Sequence, residues 1–318
     1  MTAAAGHSYL NRYGVVVGRE VLVQTQNDAA YEAAIDLAQC GVKVILADAR
    51  QGGAAAWRQQ ALKYAGAELL LGHGIAKVLG DKSVSGAQLV KLDGRNNQVV
   101  GSGPRLSVDT VLSSGGLTST VHLFCHNGGR PVWNQQQLPT PPWAALLLGH
   151  GRGSSGNAPS VASEEVAAPR AIFRLPDGKP EGHGAKAFVD YQNDVAAADI
   201  HTAVRENYRS IEHVKRYTAL GFGTDQGKLS NINGFAIAAE ALGKPIAEVG
   251  TTTYRPSYTP VTFGALAGPH VGETFDARRY TAMQASHDAR KAEYEVVGQW
   301  MRPWYFPKPG EDLHAAVN

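Results

Sequence analysis

Residues 186–233 read KAFVDYQNDVAAADIHTAVRENYRSIEHVKRYTALGFGTDQGKLSNIN, and this stretch decides the fold of the second half of the chain. It opens with a short extended run over residues 187–191. Apolar residues then recur at helical spacing, which predicts a first helix with Asp194 or Asp199 as its N-terminal cap. The stretch therefore predicts a small, mainly helical module.

A second helix and a glycine-containing turn follow. Ser210 is placed to cap this helix, which is expected to end near Gly221. Residues 223–228, GTDQGK, then form a turn that leads into a third helix from Ser230. Glycines, a hydroxyl and a lysine before a helix N-terminus indicate a phosphate site, because backbone N–H groups and the helix dipole favour an anion there. A purely structural tight turn is the alternative interpretation.

These motifs resemble the small helical domain of iron–sulfur proteins related to bacterioferritin-associated ferredoxin. They resemble more closely the same domain inside the alpha subunit of heterotetrameric sarcosine oxidase, and the match continues at residues 215–218, KRYT, and 255–264, RPSYTPVTFG. The iron–sulfur relatives carry Cys-x-Cys and Cys-Gln-Gly-Arg-x-Cys, where this chain has Asp190, Gln192 and the run DQGKLS at 225–230. A 2Fe–2S cluster needs thiolate ligands, so this domain is expected to hold none.

Composition is that of a soluble, two-domain protein. The chain has 318 residues, of which 43% are hydrophobic and 18% charged, with a net charge of +2. Neither a nucleic-acid partner nor a membrane partner is indicated, and no apolar run approaches the ~20 residues that span a bilayer. Residues 1–9 lack the apolar region of a signal peptide, and Cys40 and Cys125 are expected to be free thiols. We expect a cytoplasmic protein.

Residues 14–112 predict a Rossmann-like α/β domain. Buried strands at 21–26 and 42–47 alternate with helices. A three-stranded insert with strands at 75–80, 88–92 and 98–101 follows, and a strand at 108–113 closes the unit. This order resembles the second dinucleotide-binding domain of flavoprotein disulfide reductases, the pyridine nucleotide-disulfide oxidoreductase type. The predicted fold class is therefore α/β plus α: this domain, then the cysteine-less ferredoxin-like helical domain.

The first turn of this domain argues against a bound dinucleotide. A pyrophosphate needs the glycines of G-x-G-x-x-G so that the backbone can approach it, but residues 23–30, VQTQNDAA, contain no glycine. Asp28 would also repel the phosphates. Asp48 stands where an acidic residue could meet a ribose, but we interpret it as a strand-end residue that caps a nearby turn. The resemblance places the NAD site of the family in another dinucleotide fold, before residue 1.

The remaining segments complete the predicted domain organisation. Residues 117–133 still resemble the family, residues 134–184 do not, and the tail resembles the lead-in to a folate-binding aminomethyltransferase-like domain. The predicted domains are 1–116 (Rossmann-like), 117–184 (divergent return segment or linker), 185–268 (helical) and 269–318 (start of the aminomethyltransferase-like domain).

The resemblance also implies a function. Sarcosine oxidases oxidise the N-methyl group of sarcosine at a flavin of the beta subunit, giving glycine, hydrogen peroxide and a folate-bound one-carbon unit. The implied partners are beta, gamma and delta subunits, and the implied cofactors are FMN at the alpha–beta interface, with NAD and tetrahydrofolate sites largely outside this chain. We expect no catalytic residue, no metal ligand and no activity of the chain alone. The residues expected to form one wall of the FMN site are Thr224, Gln226, Gly227, Lys228, Ser230, Asn231, Arg255 and Thr259.

Two other functions stay open at this point. The chain could be a non-catalytic remnant or binding module, which would be colourless and bind neither NAD nor flavin. It could instead be a subunit of a related amine or opine dehydrogenase. Those relatives keep the cluster cysteines that this chain lacks, and iron analysis separates the two cases.

Overall fold

A computed structural model describes residues 1–94, 98–115, 122–127, 172–175, 183, 186–269, 272 and 277–317. The chain forms two compact units, Met1–Tyr258 and Thr259–Asn318. Most of the predicted divergent segment, 117–184, lies outside the described residues.

The first part of unit one is an α/β layer structure. Its elements in chain order are α1 (Ala3–Tyr13), β1 (Glu20–Thr25), α2 (Ala29–Gln39), β2 (Lys43–Asp48), α3 (Ala56–Tyr64), β3 (Glu68–Leu71), β4 (His73–Gly80), β5 (Val84–Leu92), β6 (Val99–Leu106) and β7 (Thr110–Ser114). Strands β3-β2-β1-β7 form a parallel sheet, and β4-β5-β6 form an antiparallel sheet inserted before β7. This is the predicted Rossmann-like, dinucleotide-binding type of topology.

Alternation along β1 places side chains on both faces of the parallel sheet. Val21 and Val23 pack with Leu37 of α2 on one face, whereas Leu22 packs with Leu89 of the antiparallel sheet on the other. These five side chains are all essentially inaccessible to solvent. Burial on both faces explains why β1 and β2 read as continuous apolar runs rather than as alternating ones.

Two features differ from the sequence prediction. Helix α1 was not predicted: Thr2 caps it by accepting the N–H of Ala5, and the Ser113 N–H donates to the Met1 carbonyl at 3.0 Å. The insert strands β5 and β6 are longer than the predicted 88–92 and 98–101. Glycines and a proline within them weaken the strand pattern in the sequence, and the pairing instead accommodates bulges.

The helical module makes up the second part of unit one. Its elements are α4 (His122–His126), β8 (Phe188–Asp190), β9 (Val195–Ala196), α5 (Ala197–Arg205), α6 (Ile211–Thr218), α7 (Asn231–Leu242) and α8 (Ile246–Val249). Its core is built from Ile200, Val214, Leu220 and Phe235 with their neighbours, all nearly inaccessible to solvent. The predicted order of elements, a short extended run followed by three helices, is thus confirmed.

The predicted helix ends need correction at two places. Ser210 precedes α6, but its hydroxyl makes no capping hydrogen bond. Helix α6 ends at Thr218 rather than near Gly221, because Ala219 already adopts a left-handed conformation with φ 65°. At the start of α5, Asp199 accepts the N–H of Ala196 at 2.8 Å, whereas Asp194 lies outside the helix with φ 53°.

Unit two is a small α/β segment. It contains α9 (Phe263–Ala267), β10 (Arg279–Tyr280), α10 (Gln284–Ala289), β11 (Glu293–Val297), β12 (Trp300–Tyr305) and α11 (Leu313–Val317), with sheet order β10-β12-β11. Trp300 and Trp304 of β12 are about half exposed, at 47% and 54%. Across the described residues of both units, no helix is long and apolar enough to cross a membrane.

Candidate functional site

The predicted phosphate-binding turn forms a tight, partly exposed loop between α6 and α7. Gln226 and Gly227 both have positive φ, 49° and 74°, which reverses the chain. The Lys228 N–H donates to the Asp225 carbonyl at 3.1 Å, and the Asn231 N–H donates to the Gly227 carbonyl at 3.0 Å. These bonds use backbone donors at the helix start, so the side chains around the loop matter more for any ligand than the helix N-terminus alone.

The Asn231 side chain explains the glycine at position 227. Its amide is buried against the loop and donates from Nδ2 to the Gln226 carbonyl at 3.3 Å and to Thr252 Oγ1 at 3.1 Å. A Cβ added to Gly227 would overlap this amide, and the positive φ also disfavours any side chain there. Asn231 therefore supports the loop from inside the fold.

The four positions that the resemblance assigns to cluster cysteines lie together in the structure. Asp190 accepts a hydrogen bond from Ser230 Oγ at 3.4 Å. Gln192 Oε1 accepts the Asp225 N–H at 3.1 Å, and Gln192 Nε2 donates to Thr224 Oγ1 at 3.3 Å. Direct hydrogen bonds thus join the β8 turn to the loop at the positions where cysteines would be joined through a cluster.

Asp190 is the centre of these bonds. Its carboxylate is only 2% exposed and accepts backbone N–H bonds from Gly221 at 2.7 Å and from Gln192 and Asn193 at 3.0 Å each. A buried carboxylate is stable only when donors of this kind surround it. Asp190 therefore fixes the β8 turn, the end of the α6 segment and the start of α7 relative to one another.

A second segment, residues 252–258, is joined to the loop. The Gln226 side chain binds the backbone of Arg255 in both directions: it accepts the Arg255 N–H at 2.8 Å and donates to the Arg255 carbonyl at 3.4 Å. The Arg255 side chain is exposed and makes no hydrogen bond or ion pair with any residue that the structure describes. The backbone is thus held in place while the guanidinium faces solvent.

Lys228 is held between the two segments. Its ammonium group donates to the Tyr258 carbonyl at 2.7 Å and to the Thr224 carbonyl at 3.3 Å. It also lies 4.2 Å from the centre of the Tyr258 ring, a cation–π contact. Since an ammonium group has three donors, two carbonyl bonds leave one N–H for a ligand.

The aromatic residue under Lys228 has a second partner that sequence reasoning missed as a site residue. His122 of α4 stacks on Tyr258 with 4.5 Å between ring centres and 21° between planes. Burial, together with the positive charges of His126 and Lys228, lowers the pKa of His122. Burial and the charge of Asp225 raise the pKa of Tyr258. At neutral pH these shifts favour uncharged rings, which stack well.

A group of basic side chains lies beside Arg255. Lys215 donates to the Thr253 carbonyl at 3.2 Å, and Glu212 accepts the Thr253 N–H. Burial lowers the pKa of Lys215, and the charges of Arg255 and Arg216 lower it further, although Glu212 opposes them. Cations that repel one another in this way favour an anion between them.

The predicted site residues thus separate into three groups. Thr224, Gln226, Gly227 and Lys228 form the loop, and Arg255 lies beside it. Ser230 and Asn231 are buried, at 1% and 5% exposure, and their side chains bind inside the fold rather than at its surface. Thr259 is the first residue of unit two and is described with that unit.

Asp48, the residue of the Rossmann-like part that could meet a ribose, is not exposed. Asp48 is fully buried, accepts the Arg50 N–H at 2.9 Å and accepts the Tyr31 hydroxyl at 2.9 Å. Its interpretation as a strand-end residue that caps a turn is confirmed. In the part of the chain that the structure describes, no group of three or more His, Cys, Asp or Glu residues could hold a metal ion.

Comparisons with known proteins found relatives of the helical module and of the whole chain. Residues 184–269 match the family described as the sarcosine oxidase A3 domain. The sarcosine oxidase subunit alpha of Corynebacterium sp. strain P-1 is 34% identical, over 100% of this chain and 36% of that protein. The sarcosine oxidase subunit alpha of Rhizobium meliloti strain 1021 is 35% identical, over 98% of this chain and 33% of that protein.

Among solved structures, L-proline dehydrogenase from P. horikoshii superposes with a TM-score of 0.49 and 18% identity, over 82% of this chain and 52% of that one. The Rossmann-like assignment rests on the strand order β3-β2-β1-β7 and not on this likeness. The chain spans about a third of the length of the alpha subunits that it matches. It is thus similar along its whole length to part of these sarcosine oxidase alpha subunits, and its residues 184–269 match the family described as the sarcosine oxidase A3 domain.

Proposed function

We propose that this chain acts as part of a sarcosine oxidase alpha subunit and that its helical module forms one wall of an FMN site facing a beta subunit. The reaction is the oxidative demethylation of sarcosine to glycine, with hydrogen peroxide and a folate-bound one-carbon unit as the other products. The bound flavin supplies the electron transfer. This chain contributes binding and positioning rather than a catalytic acid, base or nucleophile.

One observation carries the proposal: the two joined segments of the module present two cations, Arg255 and Lys228, that form no salt bridge with any residue that the structure describes. Arg255 has an exposed guanidinium on a fixed backbone, and Lys228 keeps one N–H outside its two carbonyl bonds. A flavin mononucleotide ends in a phosphate, and arginine can bind a phosphate with two parallel N–H donors. The residues present therefore fit the phosphate end of that cofactor.

The exposed polar side chains around the loop fit the rest of such a wall. Thr224 carries an exposed hydroxyl, and Phe222 and Leu229 are exposed on either side of it, at 39% and 59%. Apolar groups around a few polar ones are typical of cofactor sites and of subunit interfaces. Thr259, the first residue of unit two, stays a prediction from the sequence alone.

We also propose that the module descends from a cysteine-ligated 2Fe–2S domain, as the resemblance implies. The hydrogen bonds Asp190–Ser230 and Gln192–Asp225 support this origin, because they connect the same two turns that a cluster would connect. In this view the loop kept its shape after the thiolates were lost. Neutral and charged hydrogen bonds replaced the metal as the link.

The test is co-expression of this chain with a beta subunit and measurement of flavin content and oxidase rate. Arg255→Ala and Lys228→Ala should each weaken flavin retention about tenfold to a hundredfold, the equivalent of ~1.5–3 kcal/mol for a lost charged hydrogen bond. Lys244→Ala is the matched control, because Lys244 is an exposed lysine at the other end of α7. Unchanged flavin content in both the Arg255→Ala and the Lys228→Ala variants would refute the proposal.

A further inference from the structure

The turn after β1 holds an aspartate where a dinucleotide-binding fold would hold phosphate. Asp28 occupies the N-cap position of the 11-residue helix α2, directly after the first strand of the parallel sheet. In dinucleotide-binding folds the pyrophosphate lies at this helix N-terminus, close to glycines that this chain lacks. The Asp28 carboxylate is 9% exposed, so it is a buried anion at that position.

Two arginines converge on this carboxylate, Arg50, which is buried, and Arg58, whose side chain is 13% exposed. Arg50 Nη1 lies 2.7 Å from Asp28 Oδ1, and Arg58 Nη1 lies 3.5 Å from Asp28 Oδ2. Arg50 also binds Asp48 Oδ2 through Nη2 at 2.7 Å, and its side chain is only 7% exposed. Burial alone would lower the pKa of Arg50, but its bonds to Asp48 and Asp28 outweigh this effect and raise it. The arginine is therefore firmly charged and needs its anions.

Polar side chains of the turn after β1 also bind backbone groups at the end of β7 and at Ile172. Gln26 Nε2 donates to the Gly115 carbonyl at 2.7 Å, and Gln26 Oε1 accepts the Ile172 N–H at 3.2 Å. Asn27 Nδ2 donates to the Ser114 carbonyl at 3.1 Å, and Asn27 Oδ1 accepts the Ala29 N–H at 2.9 Å. Side chains of the turn therefore satisfy backbone groups that would face a nucleotide in an open crevice.

From this arrangement we infer that the Asp28 carboxylate is an internal anion in the position of a dinucleotide pyrophosphate, paired with Arg50 and Arg58. The Rossmann-like part is closed to dinucleotides as long as Asp28 is present. Removal of that carboxylate takes its anion from two largely buried guanidinium groups beside the N-terminus of α2. The Rossmann-like part then binds an inorganic anion of the pyrophosphate class.

The experiment uses the full chain in an Arg255→Ala background, so that the proposed FMN site does not contribute to anion binding. Titration calorimetry and thermal unfolding are carried out with inorganic pyrophosphate on the parent, Asp28→Gly and Asp28→Asn. Asp28→Gly should unfold at a lower temperature than the parent, and pyrophosphate should raise that temperature. Its affinity for pyrophosphate should exceed that of the parent by at least about tenfold.

Two variants keep the inference testable. Asp28→Asn keeps the side-chain shape and removes the charge, so it should bind pyrophosphate more weakly than Asp28→Gly but more tightly than the parent. Asp36→Asn removes a partly exposed carboxylate of α2 that binds His7 instead, and it should leave pyrophosphate affinity at the parent value. The inference is overturned if the parent binds as tightly as Asp28→Gly, or if the Asp28 variants that fold, including Asp28→Asn alone, bind no better than the parent.

Discussion

The two halves of unit one each lack the residues that would bind a cofactor in the folds that their sequences resemble, and each has different residues at those positions. In the Rossmann-like part, Asp28 and Arg50 form a buried ion pair where glycines would admit phosphates. In the helical module, Asp190 and Ser230 form a hydrogen bond at positions that the resemblance assigns to cysteines. We infer that the first arrangement excludes a dinucleotide. The second leaves Arg255 facing solvent, which is why we propose an external ligand for the helical module.

The difference has an energetic side. A buried ion pair depends on both partners, because removal of one leaves an uncompensated charge in a medium of low dielectric constant. A carboxylate surrounded by backbone N–H groups depends on several weaker bonds. Mutations in the two regions should therefore have different sizes and different local effects.

The largest effect is expected for Asp48→Ala. Asp48 is fully buried and binds both Arg50 and Tyr31, so its loss should reduce the free energy of unfolding by about 3–5 kcal/mol. Urea unfolding followed by circular dichroism measures the change. Asp36→Ala is the control, because its partner His7 is partly exposed, and it should change stability far less. Equal losses in the two variants would contradict the view that the ion network closes this crevice.

A smaller and more local effect is expected for Asp190→Ala. The substitution removes the acceptor of backbone N–H groups from Gly221, Gln192 and Asn193, and should cost about 1.5–3 kcal/mol. Hydrogen exchange followed by mass spectrometry should show faster exchange in the loop and unchanged exchange in β1 and β2. If exchange rises equally in both parts, the helical module does not have the separate support that the comparison assumes.

Gly227→Ala tests the same loop through its backbone. The left-handed conformation costs about 1–2 kcal/mol for a residue with a Cβ, and the Asn231 amide occupies the space that the Cβ needs. We expect lower thermal stability of the helical module and weaker flavin retention in a complex with a beta subunit. Gly243→Ala is the control for positive φ alone, because nothing lies near its Cβ position. An equal effect of both substitutions would remove the special role of Asn231.

The sequence predicted the elements of both regions better than their connections. Strands β1 and β2 were predictable because their apolar runs are continuous, and the loop at 223–228 was predictable from its glycines. Helix α1 was missed because its apolar pattern is weak, and its support comes from Thr2 and from pairing of residues 1–2 with Ser113. Secondary-structure patterns carry no information of this long-range kind.

Contacts between charged or aromatic side chains of distant elements also could not be predicted from the sequence. The sequence placed Asp28 in the first turn and Asp48 at a strand end, but their joint contact with Arg50 links two separate turns and has no local pattern. Likewise, the stacking of His122 on Tyr258 joins residues far apart in the chain. Such contacts follow from how the elements pack, and only the three-dimensional structure supplies them.

The smallest expected effect concerns the pH dependence of the segment that carries Arg255. Bonds from Thr253 and the charges of Lys215 and Arg216 outweigh burial and lower the pKa of Glu212 below its ordinary value of 4.5. Because the folded state binds this proton less readily than the unfolded state, the stabilisation is complete well above that value. It is lost as the pH falls below 4.5 through the folded-state pKa.

Amide exchange at Thr253, followed by NMR across this acidic range, measures the effect, since its N–H donates to Glu212. Exchange, corrected for its intrinsic pH dependence, should accelerate as Glu212 is protonated. In Glu212→Gln the corrected rate should be nearly independent of pH, because the amide oxygen still accepts a bond but does not titrate. The Ala49 N–H, which donates to the Thr25 carbonyl in the Rossmann-like part, should keep its protection over the same range. A pH-dependent Thr253 rate in the Gln variant would assign the effect to another carboxylate and would show that Glu212 of α6 does not control the pH dependence of the Arg255 segment.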